Sequence, residues 1–528
     1  MIVTRIPPVD LLVEADECLV LLETIALKLS PAGSLIYRSA EQPISIDALT
    51  EALVAEFGEP AGSARLAAEQ LVAELVGHGL LSVTGAFAVP ADIEARLGAL
   101  GVVIPSLTLP RAGTDLARWA VVACDQFTSQ ETYWQDAAAL VGDAPSTLHL
   151  IYPEVFLAEP EPQLRIDRIN ATMREYLDAG LLQKLEQTLL LVRRVTGAGV
   201  ARWGLMVGLD LEQYSWESDA RTLIRSTEGT ILERIPPRKA IRRHAPLELP
   251  HIVVLLSDPR GQVIEPLAER AEAGGWPVMV YDTELMLDGG RVTAWRVDDP
   301  DALAGLTNAL EGLHSGLDPA DPLLFAIGDG NHSLATAKSC WDDLKATLGE
   351  AELSHHPARY ALVELENIFD PGLTFEPIHR VLFGVSATDF EAELSQHCTA
   401  WSVQPSPGRD ELIASLERSQ AQAFGVVDSD GFRRYEVSGP VSSIAAGTVT
   451  TTIDALLAER PGEVDYIHGA DVTAELGRLP GNLGLFLPSV SKQTFFETIV
   501  RDGVLPRKTF SLGEAADKRY YLEARQIS

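Results

Sequence analysis

Cysteine is scarce in this sequence, and the spacing of the few cysteines excludes two kinds of covalent scaffold. The 528 residues include only Cys18, Cys124, Cys340 and Cys398. No two of them form a Cys-x-x-Cys pair, so neither a zinc knuckle nor a disulfide framework is predicted. We therefore expect four reduced thiols, mostly buried, in a cytoplasmic protein.

An excess of positive charge is also missing. The chain has 42 Lys and Arg residues against 75 Asp and Glu residues, which gives a formal net charge of −33. Such an acidic protein repels a phosphate backbone unless its basic residues are strongly segregated. We therefore expect no nucleic-acid partner.

Long apolar runs do not occur either. No uninterrupted apolar stretch reaches the roughly 18 residues that a membrane-spanning helix needs, and the N-terminus has no basic segment followed by an apolar one. With 46% hydrophobic and 22% charged residues, the composition is that of a globular protein. We expect a chain that folds throughout, in about three or four folding units, without a membrane partner. No feature of the sequence specifies an oligomeric state.

Several catalytic motifs are absent. The sequence contains no G-x-S-x-G, no G-x-x-x-x-G-K-[ST] and no H-E-x-x-H pattern, which mark serine hydrolases, P-loop nucleotidases and zinc metalloproteases. His355 and His356 are adjacent rather than one helical turn apart, so they do not form a zinc pair. These three enzyme classes are excluded.

Residues 1–90 show short strands followed by two helices. Apolar and polar residues alternate over positions 25–30, which is the pattern of a half-buried strand. A helix from Ile46 to Phe57 follows Ser45 as its N-cap and is closed by Gly58. Apolar residues then recur at helical spacing over positions 64–76. The pattern predicts one small domain with its own core.

This segment resembles the PqqD family, winged-helix-like modules that recognise the leader peptides of ribosomally made, modified peptides. The resemblance rests on residues 25–30, on the 46–57 helix and on residues 71–81. It implies that a peptide adds a strand to an exposed sheet edge, where backbone hydrogen bonds supply affinity. The alternative is a winged-helix fold used only for dimerisation or as structure. The candidate peptide-binding residues are Ile25, Leu27, Leu29, Leu71 and Leu75.

The remainder of the chain mixes strand and helix patterns. Pro90, Pro105 and Pro110 punctuate this part of the chain, and we interpret residues 91–115 as a linker and the entry segment of a large domain. Buried-strand candidates, such as residues 251–256 and 323–327, alternate with helical stretches. This order predicts an α/β or α+β fold for residues 116–528.

A glycine-containing turn between a strand and a helix is the main candidate site. It has the sequence Gly328-Asp329-Gly330-Asn331-His332-Ser333. Glycines let the backbone approach a ligand, and the first amides of a helix bind anions, so a phosphate is the favoured ligand. Asp329 is a candidate Mg²⁺ ligand or proton acceptor, and His332 a candidate for charge stabilisation or proton transfer. A tight turn with a capping Asp or Ser is the alternative.

Two further segments carry residues suited to a phosphate. Arg225, Arg234 and Arg238 offer guanidinium groups, and Glu228 among them is a candidate metal ligand or general base. A solvated network of ion pairs explains the same residues without a ligand.

A second phosphate-contacting loop is predicted at Arg507, Lys508 and Thr509; the alternative is a charged turn. His379 stands beside Pro377 and Ile378, a setting in which histidine is more often structural than catalytic. The secondary candidates are Asp125, Glu376, His379 and Arg380.

Nearly all of residues 100–528 resembles one large uncharacterised bacterial family. Its Asp-Gly-(His/Asn)-His motif is similar in turn to the Gly-x-His-Arg-type loop of the ParB and sulfiredoxin superfamily, which includes a nucleotide-dependent kinase of free serine. Here Ser333 stands where those loops have arginine, and no cysteine lies beside His332. Sulfiredoxin chemistry is therefore not expected, and an arginine elsewhere must supply the missing charge. The segments that carry the first resemblance are residues 119–130, 225–238, 328–333, 356–360, 376–380 and 505–511.

Together these features suggest an enzyme that modifies a peptide. In this hypothesis, the N-terminal domain captures a precursor's leader peptide, and the large domain uses ATP or ADP with Mg²⁺ to phosphorylate a Ser or Thr hydroxyl. One alternative is a kinase or phosphatase acting on free serine or a related small metabolite. Another is a non-enzymatic, nucleotide-binding peptide scaffold.

Overall fold

The chain has a mixed α/β fold, seen here in a computed structural model. We distinguish an N-terminal unit (residues 2–84), a central lobe (residues 89–370 with 513–528) and a second lobe (residues 375–512). Ile25, one of the predicted peptide-binding residues, lies outside the described residues. The structure describes residues 2–6, 8–14, 17–21, 26–58, 60–77, 80–84, 89–276 and 278–528.

Among its described residues, the N-terminal unit contains two three-stranded sheets, ordered β5-β1-β6 and β2-β3-β4, and three helices. Ser45 caps α2 by accepting a hydrogen bond from the Ala48 amide, and Gly58 ends it in the left-handed conformation; both predictions are confirmed. The elements are β1 (Ile2–Arg5), β2 (Asp10–Glu14), β3 (Glu17–Leu21), β4 (Ala26–Lys28), α1 (Pro31–Ser39), β5 (Ile44–Ser45), α2 (Ile46–Phe57), α3 (Ala61–Gly77) and β6 (Leu81–Thr84).

The N-terminal unit has a hydrophobic core of its own, which changes the interpretation of the leucines predicted to bind a peptide. Leu29 and Leu75 are buried in this core, and Leu27 and Leu71 pack against it. Apolar side chains on the inner faces of strands and helices stabilise the fold by leaving water. Leu29 and Leu75 therefore cannot contact a peptide on the surface, which corrects their predicted role.

Residues 91–115 are not a linker. They begin with a helix, Ala91–Ala99, whose Ile93 and Leu97 enter the core of the central lobe. Val102–Val103 then pairs with the central sheet, and Leu107–Pro110 forms a two-stranded sheet with Leu182–Leu185. Pro90 is the N-cap of the helix, Pro105 lies between the two short strands and Pro110 ends the second strand, while the apolar residues of the helix pack the segment against the large domain.

The central lobe is built on one large sheet with helices around it. The elements are α4 (Ala91–Ala99), β7 (Val102–Val103), β8 (Leu107–Pro110), α5 (Leu116–Trp119), α6 (Glu131–Val141), α7 (Pro162–Asp178), β9 (Leu182–Leu185), β10 (Leu189–Val195), β11 (Ala201–Asp210), β12 (Tyr214–Ser215), β13 (Ile224–Arg225), α8 (Ile235–Arg242), β14 (Leu247–Glu248), β15 (Val253–Leu256), α9 (Glu265–Glu272), β16 (Met279–Leu285), β17 (Gly290–Val297), α10 (Pro300–Ser315), β18 (Phe325–Asp329), α11 (Asn331–Lys345), α12 (Glu350–Leu353) and β19 (Tyr360–Asn367).

The strand order in the central sheet brings two of the predicted segments together. The order is β12-β13-β18-β15-β19-β11-β10-β17-β16, with β7 beside β11. Strands β13 and β18 are parallel neighbours, so their carboxyl ends lie at the same edge of the sheet. Ligands commonly bind at such an edge in α/β folds. Residues 226–228 and 329–333 therefore lie close together although about a hundred positions separate them.

The second lobe is built on a seven-stranded sheet ordered β21-β23-β22-β25-β20-β24, with β26 pairing with the start of β20. Its own core contains Phe390, Phe424 and Tyr435. The elements are β20 (Phe375–Phe383), α13 (Ala387–Leu394), β21 (Ala400–Ser406), α14 (Arg409–Glu417), β22 (Gln422–Asp428), β23 (Gly431–Ser438), α15 (Ala445–Glu459), β24 (Glu463–His468), α16 (Ala470–Gly477), β25 (Asn482–Phe486), α17 (Phe495–Asp502) and β26 (Phe510–Leu512).

The last residues of the chain return to the central lobe. Tyr520, Tyr521 and Leu522 are buried in a core of that lobe, and β27 (Arg525–Gln526) pairs with β14. Between the lobes, residues 505–519 pass the edge where β13 and β18 end. Among the described residues, no helix combines the length and the apolar character needed to cross a membrane.

Candidate functional site

The predicted strand, turn and helix around Asp329 are confirmed. Strand β18 ends at Asp329, Gly330 adopts φ 84°, and α11 begins at Asn331. A Cβ atom on Gly330 would lie 3.1 Å from the Ile252 Cα, and one on Gly328 would lie 2.8 Å from the Leu512 side chain. Both glycines are therefore required by close packing, and at Gly330 by the positive φ as well.

Asn331 connects the two parallel strand ends. Its Oδ1 accepts a hydrogen bond from the Thr227 amide at 3.1 Å, and its Nδ2 donates to Thr227 Oγ1 at 3.3 Å. Thr227 Oγ1 in turn donates to the Ile327 carbonyl at 2.6 Å. The Asn331 side chain therefore positions the segment after β13 rather than contacting a phosphate.

His332 orients the loop that follows Glu228. Its Nε2 accepts a hydrogen bond from the Ile231 amide at 3.3 Å. Burial, and then the nearby Arg234 and Arg238, lower the pKa of His332 to about 4. The imidazole is therefore neutral at pH 7 with Nε2 occupied, which corrects the expectation of a proton-transferring histidine near neutral pH.

Asp329 forms an ion pair that sequence reasoning missed. One carboxylate oxygen accepts the Gly330 amide at 3.0 Å, and the other lies 3.0 Å from Lys518 Nζ. Lys518 also donates to Ser511 Oγ at 3.2 Å. A lysine that comes 189 positions after Asp329 in the sequence leaves no local pattern by which it could have been found.

The Mg²⁺ site predicted at Asp329 and Glu228 does not fit these residues. Both oxygens of Asp329 already have partners, and the described part of the chain contains no group of three His, Cys, Asp or Glu side chains arranged to hold a metal. Protein-bound Mg²⁺ demands near-octahedral oxygen ligands. We therefore assign no step of the chemistry to a metal held by the protein.

Glu228 is the most strongly perturbed carboxylate at this edge. Burial raises its pKa to about 7, with the nearby Asp329 adding to the rise, while Lys508 and the backbone amides of Lys508 and Thr509 act in the opposite direction. The same segment is fixed by a 2.7 Å hydrogen bond from the Leu505 amide to the Thr227 carbonyl. A carboxyl group with a pKa near 7 can exchange its proton near neutral pH.

The 505–509 loop contributes two cations and two amides to the site. Arg507 and Lys508 are exposed, and Lys508 has φ 59°, an uncommon conformation for a residue with a side chain. Thr509 is buried, and its Oγ1 donates to the Pro506 carbonyl at 2.6 Å. The Thr509 hydroxyl is therefore occupied within the loop and its amide bonds to Glu228, which corrects the predicted contact of Thr509 with a phosphate.

The predicted arginines separate into three environments. Arg225 is buried, pairs with Asp321 at 2.7 Å and donates to the Ala220 carbonyl, so its guanidinium is not available to the turn. Arg238 pairs with Glu154. Arg234 is exposed and acts electrostatically on His332. Only Arg234, of these three, remains an open cation at the site.

Ser333 faces a different group of residues from His332. Its Oγ lies 2.8 Å from His251 Nε2, and His251 Nδ1 lies 2.7 Å from the Tyr521 hydroxyl. Asp125 approaches the same His251 Nε2 at 3.7 Å. Ser333 is therefore placed with His251 rather than with a phosphate, and Asp125 belongs to this second cluster.

The three secondary candidates on β20 have different surroundings. Glu376 is exposed. His379 is buried, and its Nδ1 accepts the Leu487 amide at 3.2 Å; burial lowers its pKa to about 4, so it has a structural role. Arg380 is fully buried, stacks on the Tyr466 ring at 5.3 Å and acts electrostatically on Glu228.

A cavity of about 620 Å³ opens beside the Glu228 loop. Its walls come from residues 229–233 and 504–507 and from α15 and β24, including Thr450, Asp454 and Tyr466. This volume lies within the range of about 300 to 1,000 Å³ typical of small-molecule sites. The cavity places Arg507 and the Tyr466 ring beside the segment that follows Glu228, together with the carboxylates of Glu233 and Asp454.

Three comparisons place the chain among known proteins. No curated protein sequence matches it. It is similar in structure to a free serine kinase in complex with AMP, at 11% identity over 61% of this chain and 92% of the kinase, with a TM-score of 0.33. A variant of that kinase in complex with ADP gives 10% identity over the same shares and a TM-score of 0.34.

A conserved hypothetical protein from Pyrococcus furiosus is also similar in structure, at 12% identity over 60% of this chain and 90% of that protein, with a TM-score of 0.30. A family model matches residues 108–456, which is more than half of the chain and includes the Glu228 segment and the Asp329 turn. The chain belongs to the family described as "Protein of unknown function (DUF1015)".

Proposed function

We propose that the chain transfers a phosphoryl group from ATP or ADP to the hydroxyl group of a small molecule. The observation that carries the proposal is the raised pKa of Glu228, which burial brings to about 7. A general base works best when its pKa lies near the working pH. At neutral pH, Glu228 is thus suited to accept the proton of an attacking hydroxyl.

The distribution of charge supports a phosphate ligand. The protein carries a net charge of −33, yet Arg234, Arg507 and Lys508 are exposed beside Glu228 and His332. Among the described residues, these three cations form no salt bridge. Clustered cations stabilise a polyanion, and phosphoryl transfer depends mainly on positioning and charge neutralisation.

The cavity of about 620 Å³ provides the space for the nucleotide. In this arrangement, the base and sugar lie near Tyr466 and Thr450, and the phosphates face Arg507 and the start of α11. The first amides of that helix add donors for an anion. Asn331 and His332 act as positioning residues, because they hold residues 227 and 231 in place.

In the proposed reaction, each bond that breaks is matched by a bond that forms. The acceptor oxygen attacks the terminal phosphorus of the nucleotide, a new phosphorus–oxygen bond forms, and the bond to the departing nucleotide breaks. The hydroxyl proton moves to Glu228, and the charge on the departing nucleotide is stabilised by Arg507 and Lys508.

The direct test combines binding and turnover. Calorimetric titration of the full chain with ATP and ADP should show saturable binding, and mass spectrometry should show a phosphate ester after incubation with a panel of hydroxyl compounds that includes free serine and serine-containing peptides. If a folded protein binds neither nucleotide and forms no ester, the proposal is wrong.

We infer a second function for the N-terminal unit, the docking of an extended peptide. The outer face of the sheet β2-β3-β4 exposes Leu12, Leu19 and Leu21, which are 59%, 42% and 40% accessible. Leu12 and Leu19 stand opposite each other in the sheet. Exposed apolar side chains beside an open strand edge favour the addition of a peptide strand.

The docking proposal is tested with a Ser- and Thr-rich peptide encoded beside the gene. Leu19→Lys in the full chain should abolish binding, measured by fluorescence anisotropy. Leu479→Lys changes another half-exposed leucine, in the second lobe, and should leave binding unchanged. Equal affinities of the two variants would contradict the docking role.

A further inference from the structure

A second cavity lies against α11, directly after His332. It has a volume of about 150 Å³. Its walls are mostly apolar and come from α7, α8, β14 and α11, including Met173, Ile241, Leu247 and Ala337. An apolar cavity of about 150 Å³ accommodates a group the size of benzene. The space therefore suits a carbon-rich body rather than a phosphate.

One end of this cavity is polar. Ser333, His251 and Tyr521 line it and form a chain of two short contacts, 2.8 Å from Ser333 Oγ to His251 Nε2 and 2.7 Å from His251 Nδ1 to the Tyr521 hydroxyl. Asp125, 3.7 Å from His251 Nε2, favours a proton on that nitrogen. His251 then donates to Ser333, which leaves the Ser333 hydroxyl proton for an oxygen atom of a ligand.

The charges that line the cavity are already paired. Arg238 pairs with Glu154, and Arg242 pairs with Glu248. An anionic ligand would meet no open cation here, whereas the Glu228 side exposes Arg234, Arg507 and Lys508. Burying an uncompensated charge is strongly unfavourable. The cavity therefore selects an uncharged ligand with a hydrogen-bonding group at one end.

We propose that this cavity holds the acceptor substrate, an uncharged alcohol with a carbon-rich body about the size of a benzene ring. This inference rests on the proposed phosphoryl transfer, in which the same bonds form and break. It differs from that proposal in naming the acceptor class, because a zwitterionic amino acid would bring two charges into a cavity whose arginines and glutamates are already paired with each other. Ser333 binds the oxygen of the alcohol one position after His332, on which both Asp125, at the polar end of this cavity, and Arg507, in the wall of the nucleotide cavity, act electrostatically.

The experiment uses benzyl alcohol as the probe ligand and a substitution that fills the cavity as the perturbation. Ala245 lines the cavity and is buried, so Ala245→Leu should fill part of the space. Ala268 is equally buried but lies on α9, outside both cavities, and Ala268→Leu is the matched control. Overpacking at either position costs about 1 to 3 kcal/mol of stability, so folding is checked by circular dichroism.

Binding is measured by ligand-observed NMR without nucleotide, and phosphate ester formation is measured with nucleotide. We expect the wild type and Ala268→Leu to bind and phosphorylate benzyl alcohol, and Ala245→Leu to lose at least about tenfold in both. No binding to a folded wild type, or equal binding to both variants, overturns the inference. The inference is also overturned if the wild type phosphorylates free serine and Ala245→Leu does so at an unchanged rate.

The measurements distinguish a failure of the acceptor-site proposal from a failure of the phosphoryl-transfer proposal. Benzyl alcohol binding that Ala245→Leu abolishes, in a protein that binds no nucleotide, would contradict the phosphoryl transfer and retain the cavity as a binding site. Nucleotide binding without any binding of benzyl alcohol would contradict the acceptor class alone.

Discussion

The two sides of the start of α11 have opposite chemistry although they are one residue apart. On the His332 side, the imidazole has a pKa lowered to about 4 by burial and by arginines, and the exposed Arg507 lines a cavity of about 620 Å³. On the Ser333 side, the arginines are paired with glutamates and the cavity is mostly apolar. Successive helical residues point about 100° apart, so one turn can serve both a polyanion and an apolar body.

The largest effect is expected from Glu228→Gln. The substitution preserves the size of the side chain but removes the proton acceptor, so turnover should fall by about 10² to 10⁴-fold. Nucleotide and benzyl alcohol binding should both persist, because neither cavity is blocked. Stopped assays for the phosphate ester measure the loss, and retained turnover would remove Glu228 from the chemistry.

The same substitution should raise stability above neutral pH. Because burial raises the pKa of Glu228 to about 7, the folded protein binds more protons than the unfolded chain between the ordinary carboxyl pKa and about 7. Stability of the wild type therefore falls as pH rises through this window. Thermal melts should show a gain for Glu228→Gln at pH 8 that shrinks as pH falls and disappears below the ordinary carboxyl pKa, at about pH 4.

The rate of the wild type should follow the ionisation of Glu228. A general base must be unprotonated, so kcat/KM should rise with pH to a plateau above about 7 and fall about tenfold per unit below that value. The pH profile of kcat/KM measures this. A flat profile between pH 5 and pH 8, with the fold intact, would exclude Glu228 as the base.

Arg507→Gln tests the cationic, His332 side of the α11 start. Loss of a charge-assisted contact to phosphate should weaken nucleotide binding by about 10- to 100-fold and leave benzyl alcohol binding unchanged. Arg501→Gln is the control, because Arg501 is exposed on α17 and already pairs with Asp502. Calorimetric titration of both variants decides, and equal affinities would show that Arg507 does not contact the nucleotide.

Gly330→Ala tests the turn that both sides share. The positive φ of 84° and the contact with Ile252 should reduce the free energy of unfolding by about 1 to 3 kcal/mol. Gly305→Ala, in the middle of α10 with open space around it, should instead stabilise by up to about 1 kcal/mol. Urea denaturation compares the two, and an equal gain at both positions would refute the strained turn.

Ser333→Ala should have the smallest effect. Loss of one neutral hydrogen bond weakens benzyl alcohol binding by about fivefold, while nucleotide affinity stays constant because Ser333 faces His251. NMR titrations with both ligands measure the difference. A loss of nucleotide affinity alone would place Ser333 on the phosphate side.

Local patterns predicted the elements of the site better than their contacts. The strand before Asp329, the helix after Gly330 and the helix closed by Gly58 follow from periodicity and capping. His251 and Lys518 carry no such pattern, because tertiary packing alone brings them to Ser333 and Asp329. The sequence also did not show that His332 and Ser333 have different roles, because a helical rotation of about 100° between neighbours decides which cavity each one faces.

Apolar residues led to two wrong interpretations for the same reason. Leu29 and Leu75 were predicted to bind a peptide, and residues 91–115 were predicted to be a linker, yet Leu29, Leu75, Ile93 and Leu97 are all buried. Burial in a core is the usual fate of a leucine or isoleucine at regular spacing. Proline punctuation marks the ends of elements and does not by itself mark the boundary of a domain.

The late position of residues 505–521 has a consequence for synthesis. The amides of Lys508 and Thr509 hold Glu228, Lys518 holds Asp329, and Tyr521 holds His251. A growing chain on the ribosome has made the Asp329 turn long before it makes these partners. The site can assemble only after residue 521 has left the exit tunnel, so a chain cut off before residue 505 contains the whole motif and lacks these three contacts.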